Sequence, residues 1–467
     1  MLAASPRISD DDRRLYSREL DDFLATQQPQ PPASLLTAHD HLASLADPIT
    51  WADYDTAFQN LLDQCAYEYE PPDFVVDPAG YLVVATQSYV KTSRGILEAW
   101  LAAQPGDLIS VQAGDYVFTE LPPSNRAVGS VAVRIRGQAD GSAHLARQSA
   151  GGSDSLVYFK NISDLTMERM LIDADDRAGI KGETDWGVQP NLTFHCVRIA
   201  GRGDAYDPTW FDDSRFGIHT YGDGPITYED VEIQSIFQSE AFYIHNFSGD
   251  VTLLRCTAKH TGRPGLQMPN VFNEGPMGQG NVLLEGCEFQ DCCIENGGGG
   301  SALTFAGGAP NTEVTIRDTI VRAGCDAQLA WPFNGNITGA LVCWLPRYCY
   351  GVGYKAIYLD DGCDFECGSV YPGTGSAPRA VIKVGEIESG LPSNLTALEH
   401  FEIRGKVRIV NGRPSGYTRD AIEIWSGCKE FRVRNPDQQN IVGTILYYGI
   451  RYPDWATFIA AHPEVVL

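Results

Sequence analysis

The sequence predicts an all-β solenoid, a single-stranded right-handed parallel β-helix with a small α-helical N-terminal module. Three observations predict it. An eight-position frame, apolar at offsets 0, 2, 5 and 7, recurs six times between Leu165 and Val321. A second column of short apolar-x-apolar triplets runs between the copies. Gly, Asp and Asn crowd the gaps, as turns require.

Leu165, Met167, Met170 and Ile172 fill the first copy of the frame, and Leu192, Phe194, Val197 and Ile199 the second. Ile226, Tyr228, Val231 and Ile233 follow, then Val251, Leu253, Cys256 and Ala258. The last two copies are Val282, Leu284, Cys287 and Phe289, and Val314, Ile316, Thr319 and Val321, where Thr319 breaks the apolar rule. The starts lie 27, 34, 25, 31 and 32 residues apart. A period of this size is the mark of stacked repeats. Offsets 0 and 2 read as a strand, because side chains alternate faces with period two. The odd step from 2 to 5 breaks the alternation, so the chain must bend there.

The triplets are Ile218-His219-Thr220, Ile244-His245-Asn246, Leu266-Gln267-Met268, Leu303-Thr304-Phe305, Leu329-Ala330-Trp331, Ile357-Tyr358-Leu359, Ile382-Lys383-Val384 and Ile422-Glu423-Ile424. Two of them end on a polar residue. One turn of chain therefore holds two or three short strands, and each stacked turn buries its neighbour's core. A propeller needs a period of about 40 residues, and a sandwich predicts no fixed period.

Composition bounds the function. Apolar residues make 43% of the 467, enough for a full core. The net charge of −25 argues against nucleic acid and anionic membrane surfaces, which are bound through Lys and Arg. No apolar run approaches a membrane span. The N-terminus lacks a basic region followed by an apolar one, so it does not read as a signal peptide. If Met1 is the native start, the chain is made in a cytoplasm and is not exported by that route.

Twelve cysteines are present. Cys256 and Cys287 hold one frame position in successive copies and should stack inside as free thiols, since a spacing of about 4.8 Å exceeds disulfide geometry. Cys343 with Cys349 and Cys363 with Cys367 have no nearby His to complete a zinc set, so no metal is expected from them.

In chain order, residues 1–70 read as helices. Ser9 caps a first turn rich in Asp, Pro29, Pro31 and Pro32 stop the helix, and Trp51, Tyr54, Phe58, Leu61 and Leu62 form a stripe at helical spacing. Packing among these helices and docking on a larger assembly are both open readings. Residues 71–104 read as a linker and an N-terminal plug helix over 94–103, with Ile96, Leu97, Trp100 and Leu101 on one face. Residues 105–435 read as the solenoid and 436–467 as a C-terminal cap, including a short helix over 454–461.

The plug helix leads into Pro105-Gly106-Asp107, a strand and Gly114-Asp115-Tyr116. This stretch resembles the entry of pectate-lyase-like right-handed parallel β-helices, in which a helix plugs the open end and a Pro-Gly-Asp turn starts the first rung. With the frame, the resemblance covers about residues 90–435 as an architecture. It speaks to fold far more than to chemistry.

Candidate site residues come from two places. The insertion 201–215 is acidic and aromatic, and insertions in a solenoid project from one face, often the binding face. Tyr206, Trp210 and Phe211 are stacking platforms for a sugar, with Arg215 beside them. Asp207, Asp212 and Asp213 offer the carboxyl pair that glycoside hydrolysis needs. The second place is the centre of the triplet column, an outward stripe of His219, His245, Gln267, Thr304, Tyr358, Lys383 and Glu423. The bland reading of the stripe is a polar surface meeting water. His219 joins the candidate catalytic set and His245 the binding set. No cofactor is expected, although Asp173, Asp175 and Asp176, or the insertion, have oxygens suited to Ca²⁺.

The favoured expectation is a phage virion protein of tailspike, host-recognition or decoration type, located in the virion and presenting a glycan-binding β-helix to a surface polysaccharide. It resembles tailspikes in lacking a signal peptide, in its short non-repeat N-terminal module and in its capped solenoid. The resemblance implies a homotrimer, attached to other virion proteins through residues 1–70. It departs from tailspikes in leaving little chain after the solenoid for a trimerisation domain. The alternative is a polysaccharide lyase or glycoside hydrolase of the pectate-lyase-like superfamily. No lyase signature of Lys and Arg over stacked Asp is present. A purely structural solenoid is a third reading.

Overall fold

The computed structural model describes residues 71–467 apart from 93–94, 119–131, 139–141, 148–156, 161–163, 176–178, 184–190, 202–215, 222–223, 237–238, 246, 248, 270–279, 293–300, 324–338, 348–351, 369–379 and 414–418. The helical module expected over 1–70 lies outside these residues, as does the Leu329 triplet. The unit Asp73–Leu467 is a parallel β-helix. Among the described residues it has three long sheets, of 14, 11 and 11 strands, in each of which nearly every strand pairs in parallel with the next turn of chain.

The frame occupies the first two sheets. Offset 0 forms one unbroken register through the first sheet: Leu165, Leu192, Ile226, Val251, Val282, Val314, Ile357, Phe401 and Phe431. Offset 7 does the same in the second: Ile172, Ile199, Ile233, Ala258, Phe289, Val321, Phe365, Ile409 and Ile441. The bend between them has a local cause. The residue at offset 4 is left-handed in all six copies: Arg169, Cys196, Asp230, Arg255, Gly286 and Asp318 have φ of 56°, 52°, 53°, 51°, 65° and 48°. One left-handed residue turns the strand sharply and returns offset 5 to the interior. Thr319 tolerates that interior slot because its hydroxyl donates to the Arg317 carbonyl at 2.8 Å.

The frame also continues past Val321 with a longer bend. From Leu359 to Cys363, and from Ile403 to Val407, three residues turn the corner instead of two, with Gly362 left-handed in the first. This corrects one expectation. Ile357-Tyr358-Leu359 lies in the first sheet, within the strand Val352–Leu359, and does not belong to the triplet column.

The triplet column is the third sheet. Its inward register runs Ile180, Ile218, Phe242, Leu266, Leu303, Leu341, Ile382, Ile422 and Ile445. Here Ile218 pairs with Phe242 and not with Ile244. The expected triplet at 244 therefore slips by two, which puts Tyr243 beside His219 and pairs His245 with Tyr221.

The interior is apolar and stacked. Phe194 and Tyr228 lie face to face at 5.3 Å and 11°, and Phe401 and Phe431 at 5.5 Å and 17°. Offset stacking of this kind adds to the burial of each ring. Cys256 and Cys287 are buried free thiols, which donate to the Tyr228 and Leu253 carbonyls at 3.4 Å. Cys343, Cys363 and Cys367 are likewise buried.

Both ends are closed. The helix Gly95–Ala102 buries Ile96, Ala99 and Trp100, with Trp100 6.3 Å from the Phe159 ring. Leu101, expected on that face, is instead 48% exposed. Asp107 caps the turn after the helix by accepting from the Gln104 N–H at 2.6 Å, and Gly106 takes φ 92°. The stretch read as a linker also carries three strands, Phe74–Asp77, Gly80–Val83 and Ser88–Lys91, which end the first sheet as an antiparallel meander. At the other end Thr444–Tyr447 and Ile450–Tyr452 form an antiparallel hairpin. The helix Trp455–Ala461 follows, with Asp454 as its N-cap, and buries Trp455 and Phe458. Among the described residues no helix is long and apolar enough to cross a membrane.

Cys256→Asp is expected to lose about 4 kcal/mol or more of stability in urea unfolding, because it buries an unpaired carboxylate. Cys256→Val should stay within about 1.5 kcal/mol of the parent. Equal midpoints for the Asp and Val variants would refute the stacked position.

Candidate functional site

Alternation in the third sheet sends every residue between two core positions outward. The observed outward register is Lys181, His219, Tyr243, Gln267, Thr304, Val342, Lys383 and Glu423. Six of the seven residues of the expected stripe lie on this face, with His245 two positions along the chain from Tyr243. Tyr358 does not. It sits on the first sheet with the Arg404 guanidinium 3.2 Å over its ring.

Near its N-terminal end the face carries an aromatic slab. Phe216 and Tyr243 stack at 5.0 Å and 13°, and both lie against the His219 ring with centroids 4.7 Å away. His245 extends the slab, 5.6 Å from Tyr243 and 6.5 Å from His219. The two ring nitrogens of His219 are sealed from solvent and find no hydrogen-bond partner. Burial, helped by the charge of Lys181, pulls the His219 pKa down to about 3. Burial alone takes His245 down to about 4. Both imidazoles are therefore neutral rings near pH 7. A ring this hard to protonate is a weak general base, so the cluster is suited to apolar contact more than to proton transfer.

Toward the other end of the same face lies a charged cluster. Glu423 is 2% exposed and accepts from Trp425 Nε1 at 3.0 Å. Lys383 pairs with Glu386 at 2.7 Å and stands 5.3 Å from the centroid of the Trp425 ring, which is 38% exposed. Beside them the buried Asp420 takes two bonds of 2.9 Å from Arg451. Burial raises the Glu423 pKa above the usual carboxylate range, and the nearby Asp420 charge adds to it. Raised carboxyl groups can hold a proton near neutral pH and give it up in chemistry.

Tyr206, Asp207, Trp210, Phe211, Asp212, Asp213 and Arg215 lie outside the described residues. The chain leaves the second sheet at Gly201 and is described again from Phe216. Phe216 is thus the residue through which the insertion returns to the slab. Asp173 lies in the strand Leu171–Asp175, and Asp176 is outside the described residues. Phe216 and Tyr243 were missed by the sequence reading. Placing Phe242 level with Ile218 would have found Tyr243. Comparison with protein-family models, with curated proteins and with solved structures finds no match for this chain.

A depressed histidine pKa binds stability to pH with a definite sign. The unfolded imidazole takes a proton near pH 6.5, and folded His219 only near 3. Between these values the unfolded chain holds more protons, so stability is full above about 6.5 and falls as pH drops toward 3. His219→Phe should therefore lose roughly 1–2 kcal/mol less than the parent between pH 7 and pH 5 in urea unfolding. Equal losses would show that His219 titrates normally.

Proposed function

We propose that the protein is a glycan-binding β-helix of the phage tailspike or host-recognition class, which presents the outer face of its third sheet to a surface polysaccharide. One observation carries the reading: Phe216, Tyr243, His219 and His245 form a neutral aromatic slab on a parallel sheet. The C–H faces of a sugar ring stack on such a surface, and a polar neighbour such as Gln267 can bond its hydroxyls. The charge of −25 favours a neutral glycan over a polyuronate. Residues 1–70 would attach the protein to other virion proteins, and three copies would bundle along the solenoid. The aromatic insertion 201–215 supports this reading, because it joins the chain at Phe216.

Glycan-array or calorimetric binding tests it. Tyr243→Ala should weaken binding about 10- to 100-fold, or about 1–3 kcal/mol, with an unchanged melting temperature. Lys429→Ala, on the first sheet, should have no effect. Binding that survives Tyr243→Ala untouched would sink the proposal.

A specific observation favours a second reading as a glycoside hydrolase: the buried Glu423, its pKa raised by burial, beside the exposed Trp425. Release of reducing ends from a bound glycan would be the sign of it. Glu423→Gln should then abolish release and preserve binding. If release survives Glu423→Gln and is lost in Asp212→Asn or Asp213→Asn, the chemistry belongs to the insertion.

A further inference from the structure

The corner between the first and second sheets carries polar residues that the glycan reading does not use. At offsets 3 and 4 the second frame copy places His195 and Cys196, and the third places Asp230 at offset 4, directly above Cys196. In an extended strand neighbouring side chains point to opposite faces. The left-handed backbone of Cys196 breaks that rule, so its sulfur and the His195 ring meet on the outside of the bend. His195 Nε2 lies 3.4 Å from Cys196 Sγ and 3.8 Å from Asp230 Oδ2, and the three ligand atoms fall within 4.8 Å of one another.

We propose that His195, Cys196 and Asp230 form a binding site for a divalent transition-metal ion, with Zn²⁺ the best match. The donor set is one imidazole nitrogen, one sulfur and one carboxylate oxygen, the mixture zinc takes. The spacing agrees as well. Tetrahedral bonds of about 2.0–2.1 Å to N and O and about 2.3 Å to S hold ligand atoms roughly 3.3–3.6 Å apart. The pairs at 3.4 and 3.8 Å need to move only a few tenths of an ångström, and the sulfur–carboxylate pair, within 4.8 Å, by up to about 1 Å. Three protein ligands leave a fourth position for water.

Two features set this trio apart from ordinary surface polar groups. Cys196 alone among the free cysteines described is not buried. Asp230 is held from behind: Arg255 donates through Nε to Oδ1 and through Nη2 to Oδ2, each at 2.8 Å. One carboxylate oxygen can accept that bond and still bind a metal, and such outer partners orient ligands. Burial, together with the Asp230 charge, raises the Cys196 thiol pKa, so the free site carries its proton. Binding displaces that proton to solvent and leaves a metal thiolate. Because the ligands come from two turns of chain, the ion clips one rung to the next.

The full chain, stripped with a chelator and titrated with Zn²⁺, tests the site by metal content after gel filtration. Co²⁺ serves as the optical probe, through its thiolate charge-transfer absorption. The parent should retain an ion that Cys196→Gly and His195→Ala both lose, while Asp230→Asn should bind at least tenfold more weakly. Gly suits the left-handed position, so the Cys196→Gly variant should fold. Zn²⁺ should raise the melting temperature of the parent and leave that of Cys196→Gly where it was. Cysteines elsewhere in the chain are controlled by the same comparison. Equal metal content in parent and Cys196→Gly, or a cobalt–thiolate band that persists in Cys196→Gly, would overturn the proposal, as would a parent that retains no ion.

Discussion

Everything in this molecule rests on stacking in register. Parallel strands about 4.8 Å apart set each inward side chain directly over the one below. A rung cannot choose its contents freely, because Phe289 must follow Ala258 and precede Val321 in one column. The left-handed residue at offset 4 enforces that register at the first corner. If it were extended, every side chain after it would change face, and the second sheet would turn its apolar set to solvent. The constraint explains why the bend recurs through six rungs whose intervening loops differ in length.

The same constraint places the outer faces. Once the interior column of the third sheet is set, the positions between are fixed as an outward ladder. Neighbouring rungs then bring the His219 and Tyr243 ring centroids to 4.7 Å from each other. His219 and Tyr243 owe their packing to this geometry, and Phe216, just before the strand Ile218–Tyr221, lays its ring against both. The trio at the first corner owes its closeness to the other element of the design, the turn itself. A face built from sheet offers breadth and flatness. A corner offers convergence, with side chains from adjacent positions and adjacent turns brought to a point.

Much of this was legible in the sequence, for reasons that also explain the failures. The frame could be read because offsets 0, 2, 5 and 7 are buried in every copy. The left-handed corner could not, since Arg169, Cys196, Asp230, Arg255 and Asp318 occupy it, and none is the Gly that usually signals such a backbone. In the second column, Phe242, Ile244 and their neighbours alternate in a way that allows two registers. A slip by two keeps every side chain on its proper face, so hydrophobic pattern alone cannot detect it. That slip hid Tyr243 and made His245 look level with His219. Ile357-Tyr358-Leu359 matched both patterns, and only the widened corner before Cys363 separates them. The aromatic and acidic side chains of the insertion were chosen on composition, which carries no register.

The two ends of the stack are closed by different means from its middle. The first sheet finishes on the meander Phe74–Lys91 and the third on the hairpin Thr444–Tyr452, and in both the last pairings run antiparallel. A solenoid is in principle an unfinished object, since each rung is a template for another. Reversing the strand direction at these two edges spoils that template there, because a second molecule offering its own parallel rung meets a backbone whose hydrogen-bond spacing does not match. At those two edges stacking, the force that builds the molecule, is thereby kept from extending into a neighbouring molecule.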